Sequence, residues 1–342
     1  MTAADDAAVE TQQQRILISI VAWKGAYLTI ACLRSIEPEL RSVPGTRVIV
    51  VDNVSPDSSA ELVERAIRDR GWGTWATLIR ASGNHGFAAG NNIAIRAMLA
   101  EEHPAEFVLL LNPDTLVRPG ALRILVDFLA ARPDVGIAGG RSEDLDTTPQ
   151  ACCFRFPNAV NELLGYIGFG VLDRLFERYR TRLGIPQEPR QVDWVSGAFM
   201  LVRRTVIDHV GLMDEGYFLY FEETDFTRRA RLAGWDCWHV PQSRIVHLVG
   251  QSSGVTVHDR PPRRVPAYWF ESRRRYFVLN HGRTYAALCD LAVIMVYPLG
   301  RLINLVRRTP VRRPPCYYTD FIRHSALFNR DLQAPQTRPA PR

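Results

Sequence analysis

The chain has 342 residues, 46% hydrophobic and 23% charged, a composition that excludes a disordered or collagen-like protein. Its net charge of +6 is unevenly laid out: residues 260–342 hold sixteen Arg against four acids (Glu271, Asp290, Asp320, Asp331), a balance of +12, which leaves −6 on residues 1–259. A basic tail on an acidic body predicts an anionic surface as partner, and because the tail lacks a recognised binding module it argues against nucleic acid.

The first fourteen residues, MTAADDAAVETQQQ, lack an apolar run and read as a flexible tail rather than a signal peptide. RILISIVAW (15–23) is an apolar run of strand length, followed by Gly25 and a helical pattern through Ile36. TRVIVVDN (46–53) is a second strand, and Ser58 with Glu61 fits a capping box that opens the next helix. TWATLIRA (74–81) is a third strand, before a helix carrying FAAGNNIAIRAMLA. FVLLL (107–111) is a fourth, ALRILVDFLAAR is helical, and VGIAGG (135–140) is a fifth strand. Short apolar strands alternating with helices predict a parallel sheet covered on both faces, with ligands at the carboxyl ends of its strands.

Residues 141–190 have no regular pattern. QVDWVSGAFMLVRR (191–204) reads as a strand leading to a helix, and YFLYFEETDFTRRARLAG (217–234) as an approach segment and a helix stopped by Gly234. SRIVHLVGQSSG follows, and Pro and Arg rise beyond about residue 256. In the tail, AALCDLAVIMVYPLGRLINLV (286–306) is interrupted by Asp290, Pro298 and Arg301, which leaves the apolar run short of the ~20 residues of a span. Flanking arginines (273–275, 307–308, 312–313) suit a helix lying on an anionic bilayer, and a core helix docked on the main domain fits equally well. The six cysteines form no CxxC pair, which predicts reduced thiols in a cytoplasmic protein and disfavours a zinc site.

Four polar clusters fall at the predicted strand ends. Asp52 suits either a nucleotide base or ribose, or a local Asx turn. NHGFAAGNN (84–92) opens a helix whose free N–H groups suit phosphate, or is a helix entry with Gly for packing, and its glycines do not follow the GxGxxG spacing of a dinucleotide site. Asn112-Pro113-Asp114 offers one carboxylate to a divalent cation, or a capped turn, with His247 a candidate second ligand. FEETDF gathers Glu222, Glu223 and Asp225 at a helix start, as a general base or as dipole-favoured acids, with Asp225 and Arg229 spaced to pair.

In order, SIVAWKG, VVDNVSPD, NHGFAAGNN, LLLNPDT, VDWVSGAFMLVRR, FLYFEETDF and IVHLVGQSS resemble glycosyltransferase family 2, and within it the bacterial rhamnosyltransferase-like branch, over roughly residues 15–255. The resemblance implies a GT-A fold: one Rossmann-like, doubly wound, mostly parallel α/β domain. Its nucleotide-binding half would span about 15–115 and its acceptor half about 116–255, ahead of a helical basic extension over 256–342. It also implies site roles. Trp23 would stack on the donor base and Asp52 would hydrogen-bond it. Asn84, Gly86 and Asn91 would contact the donor. Asn112-Pro113-Asp114 would stand for the DxD motif, with Asp114 and His247 holding Mg²⁺ or Mn²⁺ against the diphosphate. Trp194 would lie on the acceptor side. FEETD corresponds to E-D-x-D, which makes Glu223 the base, with Glu222 and Asp225 as alternatives. Two departures stand out: Glu replaces Asp at the base position, and AWK replaces an Asn-Tyr-Asn type run after the first strand.

The reading is therefore an inverting, metal-dependent transferase moving L-rhamnose from dTDP-rhamnose to a glycan or lipid-linked acceptor. It would be cytoplasmic or peripheral on the inner membrane face, in contact with anionic lipid. The alternatives are another sugar from a UDP- or GDP-donor, or a catalytically silent nucleotide-sugar-binding protein. A pyrophosphorylase is disfavoured because no basic Gly-rich N-terminal loop is present.

Overall fold

The structure, a computed structural model, describes residues 16–167, 179–248, 263–306, 314–329 and 332. The tail expected over 1–14, the end of IVHLVGQSS and the arginines at 307–308 and 312–313 lie outside the described residues.

Strands β1 (Ile16–Ala22), β2 (Arg47–Asp52), β3 (Ala76–Arg80) and β4 (Phe107–Leu111) pair in parallel in the order β3-β2-β1-β4. Their apolar runs are continuous because both faces are covered. Ile16, Ile18, Phe107 and Leu109 face α1 (Ala26–Ile36), α2 (Ser59–Asp69) and α4 (Ala121–Ala130). Leu17, Val108 and Leu110 face α3 (Gly86–Leu99), α6 (Arg204–Val210) and α7 (Glu222–Leu232). Burying each such side chain contributes about 1.5–3 kcal/mol.

The capping box at Ser58 is not formed, and its side chain caps nothing. The preceding Asp57 Oδ1 instead accepts the Ser59 N–H at 3.1 Å, and Glu61 turns toward Arg80. The chain enters the helix through this Asx turn instead of a capping box.

The sheet continues through β10 (Phe199–Arg203), β6 (Val135–Glu143), β11 (Asp236–His247) and β5 (Thr115–Val117), with β8 (Arg190–Val192) beside β11. β6 and β11 are parallel, while β10 runs antiparallel between β4 and β6. The single strand expected over 191–204 is three pieces, because each finds a different partner. Val192 pairs with β11, β9 (Trp194–Val195) with β7 (Cys153–Phe154), and β10 enters the main sheet. β10 therefore begins at the edge where the parallel strands end, with Phe199 beside Leu111.

Helix α5 (Ala159–Ile167) packs against the C-terminal helices α8 (Ala267–His281), α9 (Arg283–Val306) and α10 (Tyr317–His324). Asp290, Pro298 and Arg301 do not interrupt α9, a single helix of 24 residues whose most apolar stretch has a mean hydropathy of 1.7. The expectation of a run too short for a span is corrected: the helix is long and apolar enough by length and composition. Its i, i+4 pattern absorbs Asp290 on the inner face, where the carboxylate meets the buried Arg273 at 2.6 Å. The inner face is thus docked, while Leu288, Leu291, Met295, Leu299, Leu302 and Leu305 are exposed on the outer one.

Candidate active site

The reactive edge is where β1, β2, β4 and β11 end and β10 begins. Pairing of β11 with the short β5 sets His247 beside Thr115, and the Leu248 N–H donates to the Asp114 carbonyl at 2.9 Å. This pairing brings His247 Nε2 to 3.5 Å from Asp114 Oδ1 and 3.4 Å from Asn112 Nδ2. Asp114 is buried and His247 largely so. A carboxylate, an imidazole and an amide suit a hard divalent cation. Among the described residues no three Asp, Glu, His or Cys side chains form a self-sufficient cage, so a ligand's phosphate oxygens would have to complete the shell.

The Asn112 N–H donates to the Ala198 carbonyl at 3.1 Å, which ties this motif to the turn before β10. On the other side of that turn is Glu223: a Cβ built on Gly197 would stand 3.2 Å from Phe87 Cε1 and 3.6 Å from Glu223 Cβ. Gly197, an unremarked residue of the VDWVSGAF segment, thus joins the metal-type motif to the acid cluster.

The three acids separate clearly. Asp225 is engaged throughout: Arg229 Nε at 3.0 Å on one oxygen, Asn280 Nδ2 at 2.8 Å and the Tyr217 hydroxyl at 3.3 Å on the other. It is removed as a candidate base, and the i, i+4 pairing with Arg229 is what forms. Glu222 is 2% exposed, which removes it from substrate contact; burial pushes its carboxyl well above the usual range, and the neighbouring Glu223 adds to this. Glu223 is half-buried, and its Oε2 has no hydrogen-bond partner. Burial raises its pKa as well, opposed by backbone N–H groups of Glu223, Gly197 and Thr224. A partly open carboxylate with one unpartnered oxygen and a raised pKa is the form a general base takes.

Trp23 is half-buried at the end of β1, with its Nε1 buried and unpartnered and Lys24 Nζ 4.3 Å from the ring centroid. Asp52 accepts from the Ser55 N–H at 3.0 Å and the Ser55 hydroxyl at 2.5 Å, and Ser55 Oγ accepts the Lys24 N–H at 2.8 Å. The local turn reading of Asp52 is therefore realised, and the two oxygens retain lone pairs for a further donor. Asn84 Oδ1 accepts the Gly86 N–H at 3.2 Å in a similar turn.

Two of the residues expected to contact the donor are engaged within the protein. Asn91 is fully buried: its Oδ1 accepts from Ser19 at 2.7 Å and its Nδ2 donates to the Phe87 carbonyl at 3.0 Å, so it braces α3 against β1. Gly86 makes room for the Phe218 backbone. At φ +89° it lies under the Phe218 backbone, whose carbonyl accepts the Phe87 N–H at 2.8 Å. Trp194 stacks on Phe154 at 4.2 Å and donates its Nε1–H to the Arg155 carbonyl at 3.0 Å. A phosphate-binding helix entry and a glycine needed for packing look alike in sequence; only the Phe218 crossing separates them.

A sheet of this topology, with a carboxylate-imidazole pair and an acidic helix start at one edge, has the architecture of the GT-A glycosyltransferases. Residues 14–267 match the family described as "Glycosyltransferase like family 2", and the chain belongs to glycosyltransferase family 2. It is a glycosyltransferase. An N-acetylglucosaminyl-diphospho-decaprenol L-rhamnosyltransferase of Mycobacterium tuberculosis is 30% identical over 252 residues, covering 71% of this chain and 74% of that protein. The rhamnosyltransferase WbbL of Escherichia coli is 27% identical over 178 residues, covering 49% and 62%. Among solved structures, a mannosyltransferase of Pyrobaculum calidifontis in complex with GDP-Man and Mn²⁺ aligns with TM-score 0.52 at 16% identity, over 93% of this chain and 86% of that one. GalNAc-T7, solved with UDP, GalNAc and Mn²⁺, aligns with TM-score 0.56 at 12% identity, over 92% and 57%. The structural likenesses speak for the fold alone.

Proposed function

We propose that this glycosyltransferase moves L-rhamnose from dTDP-rhamnose to a lipid-linked glycan acceptor, with inversion at the anomeric carbon. The carrying observation is the Gly197–Ala198 turn, which hydrogen-bonds Asn112 on one side and packs against Glu223 on the other. The rhamnose and the lipid carrier rest on the two rhamnosyltransferase relatives, one of them named for a decaprenol-linked substrate.

Trp23 and Asp52 hold the donor base, Asn84 lines the same edge, and Trp194 lies toward the acceptor. Asp114 and His247, with Asn112, hold Mg²⁺ or Mn²⁺. That ion would neutralise charge developing on the departing diphosphate. Glu223 takes the proton from the acceptor hydroxyl as that oxygen attacks C1 from the face opposite the diphosphate. One C–O bond forms, the bond from C1 to the diphosphate breaks, and the sugar leaves inverted. Desolvation of Glu223 raises its basicity toward working pH.

Access to a lipid-borne acceptor fits the outer face of α9. Its exposed Leu288, Leu291, Met295, Leu299, Leu302 and Leu305 recur every three or four residues, beside a tail rich in Arg. Such a face lies in an anionic bilayer surface.

The test is a panel of nucleotide sugars with Mg²⁺ or Mn²⁺ and a polyprenyl-diphosphate-linked acceptor, read as nucleoside diphosphate release. The expected result is release from dTDP-rhamnose, abolished in Asp114→Ala and lowered about 10²–10⁴-fold in Glu223→Gln. Release only from UDP-sugars overturns the rhamnose assignment, and full turnover by Asp114→Ala overturns the metal one.

A further inference from the structure

Glu222 and Glu223 follow two residues in an unfavourable conformation. Tyr220 (φ 72°) and Phe221 (φ 69°) are consecutive non-glycine residues in the left-handed region, which side chains with a Cβ adopt only under strain. Such strain persists only where surrounding contacts over-determine it. Here the contacts come from outside the sheet. Ser272 of α8 donates its hydroxyl to the Leu219 carbonyl at 3.0 Å. Arg275 clasps Asp214 through two bonds of 2.8 and 2.9 Å, lies 5.5 Å over the Tyr217 ring and packs flat on Gly216. The Phe221 ring meets Trp269 at 6.0 Å and Tyr276 at 5.6 Å. Asn280, at the end of α8, donates to Asp225 at 2.8 Å. On the opposite side the Phe87 N–H of α3 holds Phe218. The segment carrying the acids is gripped between α3 and a helix of the C-terminal extension.

We propose that α8 is the positioning element of the transfer step, with Arg275 and Asn280 as positioning residues that fix where Glu223 stands. This rests on the reading of Glu223 as the base. The pair acts through two anchors that flank the strained residues, Asp214 before them and Asp225 after. The side-chain partners of both anchors lie outside β1 and β2, so the two functions separate in kinetics. A displacement on the order of 1 Å at the acceptor proton lowers turnover by about 10²-fold and leaves donor affinity alone.

The experiment is a double-mutant cycle in the full chain: Arg275→Ala and Asn280→Ala, each alone and combined with Glu223→Gln. Turnover, dTDP affinity by calorimetry and the thermal midpoint are measured for each. Expected is a fall in kcat of about 10–100-fold for each single variant with dTDP affinity within about twofold, and less than about twofold further loss in the Glu223→Gln background. Should Arg275→Ala fail to fold, Gly216→Ala serves in its place. Its new Cβ would stand 2.0 Å from Arg275 Cζ, so it displaces the guanidinium without removing it. Wild-type kcat in the folded variants overturns the proposal. So does a loss that is equally large in the Glu223→Gln background, or one matched by loss of dTDP affinity. Wild-type turnover by Glu223→Gln alone overturns the base reading and, with it, this one.

Discussion

Gly86→Ala separates the two roles that a glycine at this position can have. An added Cβ would stand 1.9 Å from the Phe218 oxygen, 2.6 Å from its carbonyl carbon and 2.7 Å from its Cα. Every one of these is backbone, so no side chain can swing away. The residue also sits at φ +89°, where a Cβ adds about 1–2 kcal/mol of strain. If Phe218 retreats, the Phe87 N–H loses its acceptor, a further ~1–3 kcal/mol for a donor left unsatisfied. The total is about 2–5 kcal/mol of destabilisation, and the displaced segment is the one that leads into Glu223. Urea unfolding measures the first effect; kcat and the KM for the donor measure the second. The expected pattern is lower stability with a fall in kcat and a donor KM within a few-fold. Unchanged stability with a raised donor KM would refute the packing account and return Gly86 to the donor.

Asp290→Ala strips a buried partner from Arg273, which keeps Glu162 at 2.8 Å, and it also frees the Ala326 N–H. A loss of about 3–5 kcal/mol in urea unfolding is expected, with the extension detaching first. Glu222→Gln tests the buried acid through pH. Because burial and Glu223 raise its pKa in the folded state, its stabilising contribution is complete below the ordinary glutamate value of about 4.3 and is lost as pH rises through the folded-state value. The variant should match the parent in unfolding free energy near pH 4 and exceed it at pH 8, by about 1.4 kcal/mol for each unit of upward shift passed. Met295→Glu with Leu302→Glu should weaken flotation with anionic vesicles by tenfold or more, since each buried side chain of this size contributes about 1.5–3 kcal/mol. Turnover of a water-soluble acceptor analogue should stay unchanged.

The donor-side strands were legible because a strand buried on both faces writes itself as a continuous apolar run, as ILISIVA and FVLLL do. The division of residues 190–203 was not, because what separates β8, β9 and β10 is a change of partner, and partners are set by distant chain. His247 could be suspected but not placed: its position depends on β5, three residues too short to carry a pattern. The Asp225–Arg229 pairing was readable from i, i+4 spacing. Its exclusion as a base needed Asn280, which arrives from another helix. The bracing role of Asn91 was hidden for a related reason. Its type suggests a ligand, but its face of α3 is decided by Ser19 on β1.

The reversed direction of β10 has a consequence for how acceptor choice can diversify. β6 ends at the reactive edge and β10 starts there, so the chain between Glu143 and Phe199 leaves that edge and returns to it. The part of this excursion ahead of β8 can lengthen, shorten or exchange its contents without altering a register in the main sheet. β1 to β4, the Asp114–His247 pair, the Gly197–Ala198 turn and Glu223 would stay fixed while the segment ahead of β8 is redrawn. One edge could thus keep its polar residues in place beside a replaceable cassette.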